Sequence, residues 1–345
     1  MLKLYSDIKI VNGSSNILLL DTGREKVLIL NSACKGILTK LKAGVKSIRK
    51  NEKNLIENLI KLDFIFSFNE NEANFFPELN NAFETPSTIT NCVIEISKVN
   101  IEMIEKLVPS FASLMCFQFC FIITDKFNFF EYKRILHLIA NIDMEGFEVI
   151  FKTYNNKACN WFLTNLLNND KLTKKILVFN DNSYYNTIKT YNEKIEQNKN
   201  TFSCSNCGQI KENNFHANLI MYSESQNYNT CLNKKLSIDT NGYIKNCINM
   251  KSNHGNILKD NLLQTIKKNK FKKYWFLKKD KIKVCKDCEY RHICTDCRAY
   301  LEDPNDIYSK PLKCGYDPYK GIWTDWRTDP KKKKAIDYYG LDMIK

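Results

Sequence analysis

Residues 285–297 read C-K-D-C-E-Y-R-H-I-C-T-D-C, four cysteines in thirteen residues with two, five and two residues between them. Thiolates are soft ligands. Each C-x-x-C places two of them on one tight turn, so both reach one metal ion or one cluster edge at little ordering cost. Further cysteines extend the set. Cys231 is followed by ten residues, Gly242, four residues and Cys247, and Cys314 follows in KPLKCGY. Upstream, the CSNCGQI stretch supplies Cys204 and Cys207. Gly242 can take a positive φ in a turn that returns the strand bearing Cys247 toward Cys231. Metal binding would then close the loop and add to the folding free energy. His292 lies inside the run and His216 lies nearby; either can ligate zinc, although surface or packing roles suit both. On spacing alone, four-thiolate zinc and iron–sulfur are equally well served.

The bulk of the chain frames this reading. Nine of the 14 cysteines lie between Cys204 and Cys314. A secreted chain would use them as disulfides, whereas a reducing compartment favours ligation. The start, MLKLYSDIKIVNGSSNILLL, has no signal-peptide pattern, and the longest apolar run, Leu114–Ile123, is too short to span a bilayer. A cytoplasmic protein without a membrane partner is expected. With 345 residues, 43% hydrophobic and 12% aromatic, two or three packed domains are expected. The net charge of +14 suits an acidic partner, but its runs (267–273, 278–283 and 331–334) read as solvated helix faces and a tail. No aromatic-rich basic motif supports nucleic acid as a partner. No Ser-His-Asp arrangement or H-E-x-x-H is present, and 11 glycines leave little material for a phosphate loop. Asp287, Asp296, Glu302 and Asp303 lie near the cysteines and read as solvated loop carboxylates rather than bases.

Three sections must position the cysteines. The first, 1–78, carries strand patterns at Lys3–Val11, Ile17–Leu20 and Lys26–Leu30. A helix follows, capped by Asn31-Ser32 and running through Leu41, and a second spans Glu52–Leu62. A polar linker, 79–87, follows. The second section, 88–200, alternates strands (Ile89–Ser97, Leu114–Phe121, Phe147–Tyr154, Lys175–Phe179) with helices (Ile101–Ser110, Phe129–Asn141, Lys157–Leu167), the pattern of a parallel sheet or partial barrel. Cys116 and Cys120 alternate with apolar residues there and read as buried small hydrophobes. The third section, 201–322, contains a hairpin, Lys235–Ile238 with Tyr243–Asn246 across the turn Asp239–Gly242, and a basic helix over Leu262–Phe276. The basic tail, 323–345, is expected to pack little.

The cysteine spacing from 231 to 314 resembles the SPASM domain of radical SAM peptide-modifying enzymes. Only the two residues between Cys294 and Cys297 depart from it, where three are usual. The resemblance implies two auxiliary [4Fe–4S] clusters. Cys231, Cys247 and Cys297 would hold one together with Cys207, or with Cys204 in its place; Cys285, Cys288, Cys294 and Cys314 would hold the other. Zinc remains the alternative. It also implies an α/β chain whose middle section is a partial radical-SAM-like (β/α) barrel. Yet ITNCVIEIS leads into KVNIEMIEK without the C-x3-C-x2-C loop that seats the SAM-binding cluster in that family. No G-G-E-like turn follows the second strand either, so no bound SAM is expected. The runs CKDCEYRHICTDCRAYLEDPNDIYSKPLKCGYDPYKGIW and NTCLNKKLSIDTNGYIKNC resemble the SPASM maturases of grasp-with-spasm peptide systems. That family implies a precursor peptide and an ATP-grasp ligase as partners. The first section resembles a leader-peptide recognition domain, which captures its ligand as an added strand.

Overall fold

The computed structural model describes residues 1–69, 72, 75, 77–152, 157–167, 173–179, 195–198 and 207–341, with the backbone alone for 167, 173–179 and 195–198. Cys204 lies outside the described residues. Two compact units form: Met1–Glu84 with Gly208–Cys231 and Phe276–Lys345, and Thr85–Cys207 with Leu232–Trp275. Among the described residues, no helix is long and apolar enough to cross a membrane.

The first unit opens with β1 (Leu2–Leu4), β2 (Ile8–Asn12), β3 (Asn16–Asp21), β4 (Lys26–Asn31) and β5 (Ile65–Ser67). The strand expected over Lys3–Val11 is two strands, because the Ile8 N–H turns back to the Tyr5 carbonyl at 3.0 Å. β1 pairs with β5, while β2, β3 and β4 form an antiparallel sheet with β3 in the centre. The Asn31 side chain accepts the Ala33 N–H at 2.9 Å, and a short 3-10 turn leads into the helix Lys35–Ala43. A second helix spans Lys53–Lys61. Successive residues of a strand point to opposite faces. Ile17 and Leu19 therefore pack with Leu38, Leu41 and Leu59, while Leu18 and Leu20 join Ile293, Cys294, Cys314 and Tyr316. Burial on both faces explains the uninterrupted run Ile17–Leu20.

The C-terminal part of this unit contradicts the expectation of a loosely packed tail. Trp326, Ala335, Ile336 and Leu341 are buried, and a helix spans Lys333–Tyr339. Lys332 is buried too. Its ammonium donates to the Leu312 carbonyl at 3.0 Å and the Cys314 carbonyl at 2.6 Å, and lies 2.8 Å from Glu302. Those bonds replace the water that a lysine run was expected to keep.

The second unit is built on β6 (Asn91–Ile96), β7 (Gln118–Ile123), β8 (Gly146–Phe151), β9 (Thr173–Phe179), β10 (Ile195–Asn198), β11 (Lys235–Ile238) and β12 (Ile244–Lys245). Their order is β10-β9-β8-β7-β6-β11-β12, parallel throughout except for the β11–β12 hairpin. The helices Phe129–Asn141 and Lys157–Leu167 occur with the expected bounds. Asn128 and Glu131 cap the first of them reciprocally, each side chain bonding the other's N–H. Cys92, Phe119, Phe121, Phe147 and Phe151 face the helix side and form its core. The strand expected over Leu114–Phe121 begins only at Gln118. Helix Val108–Ser113 runs up to Leu114, and Met115 reverses the chain with φ +50°. Cys116 therefore follows the turn and precedes the strand, but it is buried as expected. The basic helix breaks at Lys268, which is extended, giving Leu262–Lys267 and Asn269–Lys272.

Residues 97–100 form the whole connection from β6 to the helix Ile101–Glu105. Asn100 is fully buried and ties it down. Its amide donates to the Glu95 carbonyl at 2.7 Å and the Asp239 carbonyl at 3.0 Å, and its Oδ1 accepts the Ser97 N–H at 2.9 Å. The Asn100→Ala variant strands these buried groups and is expected to cost roughly 1–3 kcal/mol. Urea unfolding should show a lowered midpoint with an unchanged slope.

Candidate metal centre

Cys285, Cys288, Cys294 and Cys314 line one small cavity, of about 20 Å³, in the first unit. Two short 3-10 turns, Cys285–Asp287 and Glu289–His292, set the first pair and hold it close to the sheet. Val284, at φ +67°, turns the chain into the first of them. Cys314 arrives from the other direction, and a bridge pairs it with Ile210. Ile210, Phe215, Tyr290, Tyr316 and Trp323 supply apolar walls. Cys285, Cys294 and Cys314 are buried and Cys288 is half-buried.

Electrostatics match a site for a negatively charged group. Lys279, Arg291 and Lys310 line the same cavity, and among the described residues no carboxylate does. Burial pushes the Cys285 thiol up to about 12 and the Cys294 thiol to about 11, against the pull of Lys279 in each case. Burial also raises Cys288, so the apo set holds thiols that must lose protons to ligate. For Lys279, burial alone would lower the pKa. Once ionised, the sulfurs of Cys294 and Cys285, then Asp296 and the Cys314 sulfur, more than offset it and raise the lysine's pKa above its ordinary value.

The donor set fits an iron–sulfur cluster, in which each iron takes its own thiolate around a shared core. A zinc site instead draws its ligands onto one point. Among the described residues, no three His, Cys, Asp or Glu side chains converge on such a point. His292 does not face a metal: its Nδ1 lies 2.9 Å from Ser225 Oγ, and burial, then Arg291, pushes its pKa down to about 4. His216 is exposed, with its backbone N–H on the Ile293 carbonyl at 3.1 Å.

Of the other four cysteines of the set, Cys231 and Cys297 belong to the first unit and Cys207 and Cys247 to the second. Cys297 is buried, and Gly208, the residue after Cys207, packs on it: a Cβ there would sit 2.8 Å from Cys297 Sγ. Gly208 has φ +77°, which favours glycine on its own account. In the first unit, the Cys231 N–H donates to Asn229 Oδ1 at 3.0 Å. Cys247 is buried in the second unit, beyond Gly242, whose φ of +79° is the expected turn conformation. Cys207 is exposed.

Residues 230–289 match the family model of SPASM, an iron-sulfur cluster-binding domain. The chain carries a SPASM domain. The match begins at the residue before Cys231 and takes in Cys247, Cys285 and Cys288. No curated protein matches the chain by sequence. Among solved structures, the chain is similar to Streptococcus suis SuiB bound to S-adenosylmethionine, at 11% identity and a TM-score of 0.43, over 90% of this chain and 99% of that one. SuiB bound to its precursor peptide SuiA gives 11% identity and a TM-score of 0.37, over 87% and 96%.

Several residues around the SPASM cysteines escape sequence reasoning. Asp296 is fully buried rather than a solvated loop carboxylate. Arg298 holds its Oδ1 at 2.6 Å and Asn229 its Oδ2 at 2.9 Å. Asp287 takes the Tyr319 hydroxyl at 2.7 Å. Glu289 is a second fully buried carboxylate, bonded by Tyr316 OH at 2.5 Å and Asn16 at 3.0 Å. Lys279 read as part of a solvated run. A signal for it existed: residues three apart eclipse on a 3-10 turn, and Ile282, three residues on, is apolar and buried.

The turn between β2 and β3 closes on this loop. The Ser14 N–H donates to the Asp287 carbonyl at 2.7 Å, and Arg291 reaches the Asn12 carbonyl at 2.7 Å. A Cβ on Gly13 would lie 2.5 Å from Glu289 Oε2 and 2.8 Å from the Glu289 backbone nitrogen. The Gly13→Ala variant is expected to lose about 1–3 kcal/mol through overpacking, read as a lower midpoint in denaturation followed by tryptophan fluorescence.

Proposed function

We propose that the chain is a peptide-maturation factor whose cysteine-rich part holds auxiliary [4Fe–4S] clusters and whose front part grips a ribosomally made precursor peptide. The observation that carries the reading is the convergence of Cys285, Cys288, Cys294 and Cys314 on one buried, cation-lined cavity that begins inside the SPASM match. A second cluster is assigned, by the resemblance alone, to Cys207, Cys231, Cys247 and Cys297. The domain reading follows the same resemblance: recognition domain at 1–78, linker 79–87, barrel-like section 88–200, cluster domain 201–322 and tail 323–345. The clusters act here as structural or substrate-positioning elements, and an ATP-grasp ligase is the partner enzyme.

Two local features support the rest. Among the described residues, β4 pairs with β3 on one side only, and Val27 and Ile29 are 46% and 41% exposed along it while Leu28 and Leu30 pack inward. An extended leader can add to that edge with backbone hydrogen bonds and rest apolar side chains on Val27 and Ile29. The four-residue connection after β6 contains no cysteine and is closed by Asn100, which supports a chain working without a SAM-held cluster.

Anaerobic purification with iron and sulfide analysis tests the core of this. A coloured protein with about eight irons per chain is expected, falling to about four in Cys314→Ser. Zinc without sulfide, together with salt-sensitive nucleic-acid binding, would overturn it. Incubation with SAM and dithionite is expected to release no 5′-deoxyadenosine above background; release would make the chain an active radical SAM enzyme. The Val27→Lys/Ile29→Lys double variant should bind precursor peptide about tenfold more weakly by fluorescence anisotropy, and unchanged binding would remove β4 as the docking edge.

A further inference from the structure

Lys279 is a cavity-lining cation that faces the cysteine sulfurs, with a hydrogen bond between its side chain and Cys294. Arg291 is engaged by Asp280 at 3.1 Å and by the Asn12 and Cys288 carbonyls at 2.7 and 2.8 Å. Lys310 donates to the Tyr316 carbonyl at 2.7 Å and lies 3.8 Å from Glu302. Among the described residues, the carboxylate paired with Lys279 is Asp296, 3.9 Å away and beyond hydrogen-bond reach. Both oxygens of that carboxylate are already taken, by Arg298 and Asn229. A buried ammonium in that position costs free energy unless an anion fills the cavity before it. The four thiolates of a cluster, with a net charge of about −2 over cluster and ligands, supply one.

Resting on the assignment of a cluster to these four cysteines, we infer that Lys279 is the fixed counter-charge of that cluster and holds its reduction potential up, making it able to accept an electron. On reduction, one electron enters from an external donor and the cluster with its ligands becomes more negative by one charge. No proton moves, because Lys279 is an ammonium before and after. A cation beside the cluster in a poorly solvated pocket favours the more negative state. Cys285, Cys294 and Cys314 ligate; Lys279 acts through them as a tuning residue. This adds an electron-accepting property to the structural role given above.

The test is redox titration of the full chain with dithionite, followed by electron paramagnetic resonance. The relevant signal is identified as the one that disappears in Cys314→Ser. In Lys279→Met, the one-electron reduction equilibrium is expected to weaken about tenfold, a midpoint about 59 mV more negative. Lys279→Arg, which keeps the charge, should stay close to wild type. If Lys279→Met loses the cluster altogether, retention of iron and sulfide by Lys279→Arg still supports the counter-charge role. Loss in both variants, or a loaded Lys279→Met with an unshifted midpoint, overturns it. A wild-type chain without iron would instead remove the cluster assignment itself.

Discussion

Four cysteine sulfurs enclosed by Phe215, Tyr290, Tyr316 and Trp323 lie where water cannot stabilise charge. Ligation needs them as thiolates, and burial opposes that. The surrounding chain answers with cations rather than with solvent. Lys279 faces the sulfurs, while Arg298 binds the buried Asp296 at 2.6 Å, closer than Lys279 at 3.9 Å. Lys332 caps the carbonyls of Leu312 and Cys314 from behind. Part of the formal excess of +14 is therefore structural charge committed to one cavity. This weakens the argument from net charge to an acidic macromolecular partner, since Lys332 is paired with Glu302 and a bound cluster would offset Lys279.

The same cavity ties distant parts of the sequence together. β3 sends Ile17 and Leu19 into the helical core of the front section and Leu18 and Leu20 against Cys294 and Cys314. The β2–β3 turn adds polar contacts through Ser14, Asn16 and Arg291 to the loop between Cys285 and Ile293. A sheet with one face on the front helical core and the other on the cysteine loop cannot shift register without disturbing both. Gly13 marks how close the approach is, since its missing side chain leaves room for the Glu289 backbone.

Much of this was legible where a single window of sequence holds the cause. The helix Phe129–Asn141 is fixed by a local capping pair and a continuous apolar face, and its bounds agree at both ends. The cysteine spacings identify the ligand loop because C-x-x-C is itself a local geometry. The failures share a physical origin in partners far along the chain. Lys332 is buried by carbonyls of Leu312 and Cys314, and Asp296 by Arg298 and by Asn229, 67 residues upstream. No periodicity reports such contacts. Met115 is a different case: a positive φ at a non-glycine residue broke an apolar run that looked uniform, and composition carries no mark of it.

β4 poses the last question of physical cause. An edge strand with unpaired N–H and C=O groups templates aggregation, and natural sheets blunt such edges with Pro, bulges, inward charges or a covering element. Within Lys26–Asn31 there is no Pro, and Lys26 stands at the very end. The register against β3 is unbroken from Asp21↔Lys26 to Asn16↔Asn31, so no bulge twists the edge away. Val27 and Ile29 add exposed apolar surface to an open backbone. Among the described residues no strand pairs with its outer edge, and an edge of this kind is costly to keep unless a partner uses it. Its central neighbour, β3, is the strand that packs against Cys294 and Cys314. A peptide added to β4 would therefore extend a sheet already anchored on the ligand cavity, and its ordering would be felt one strand away from the thiols.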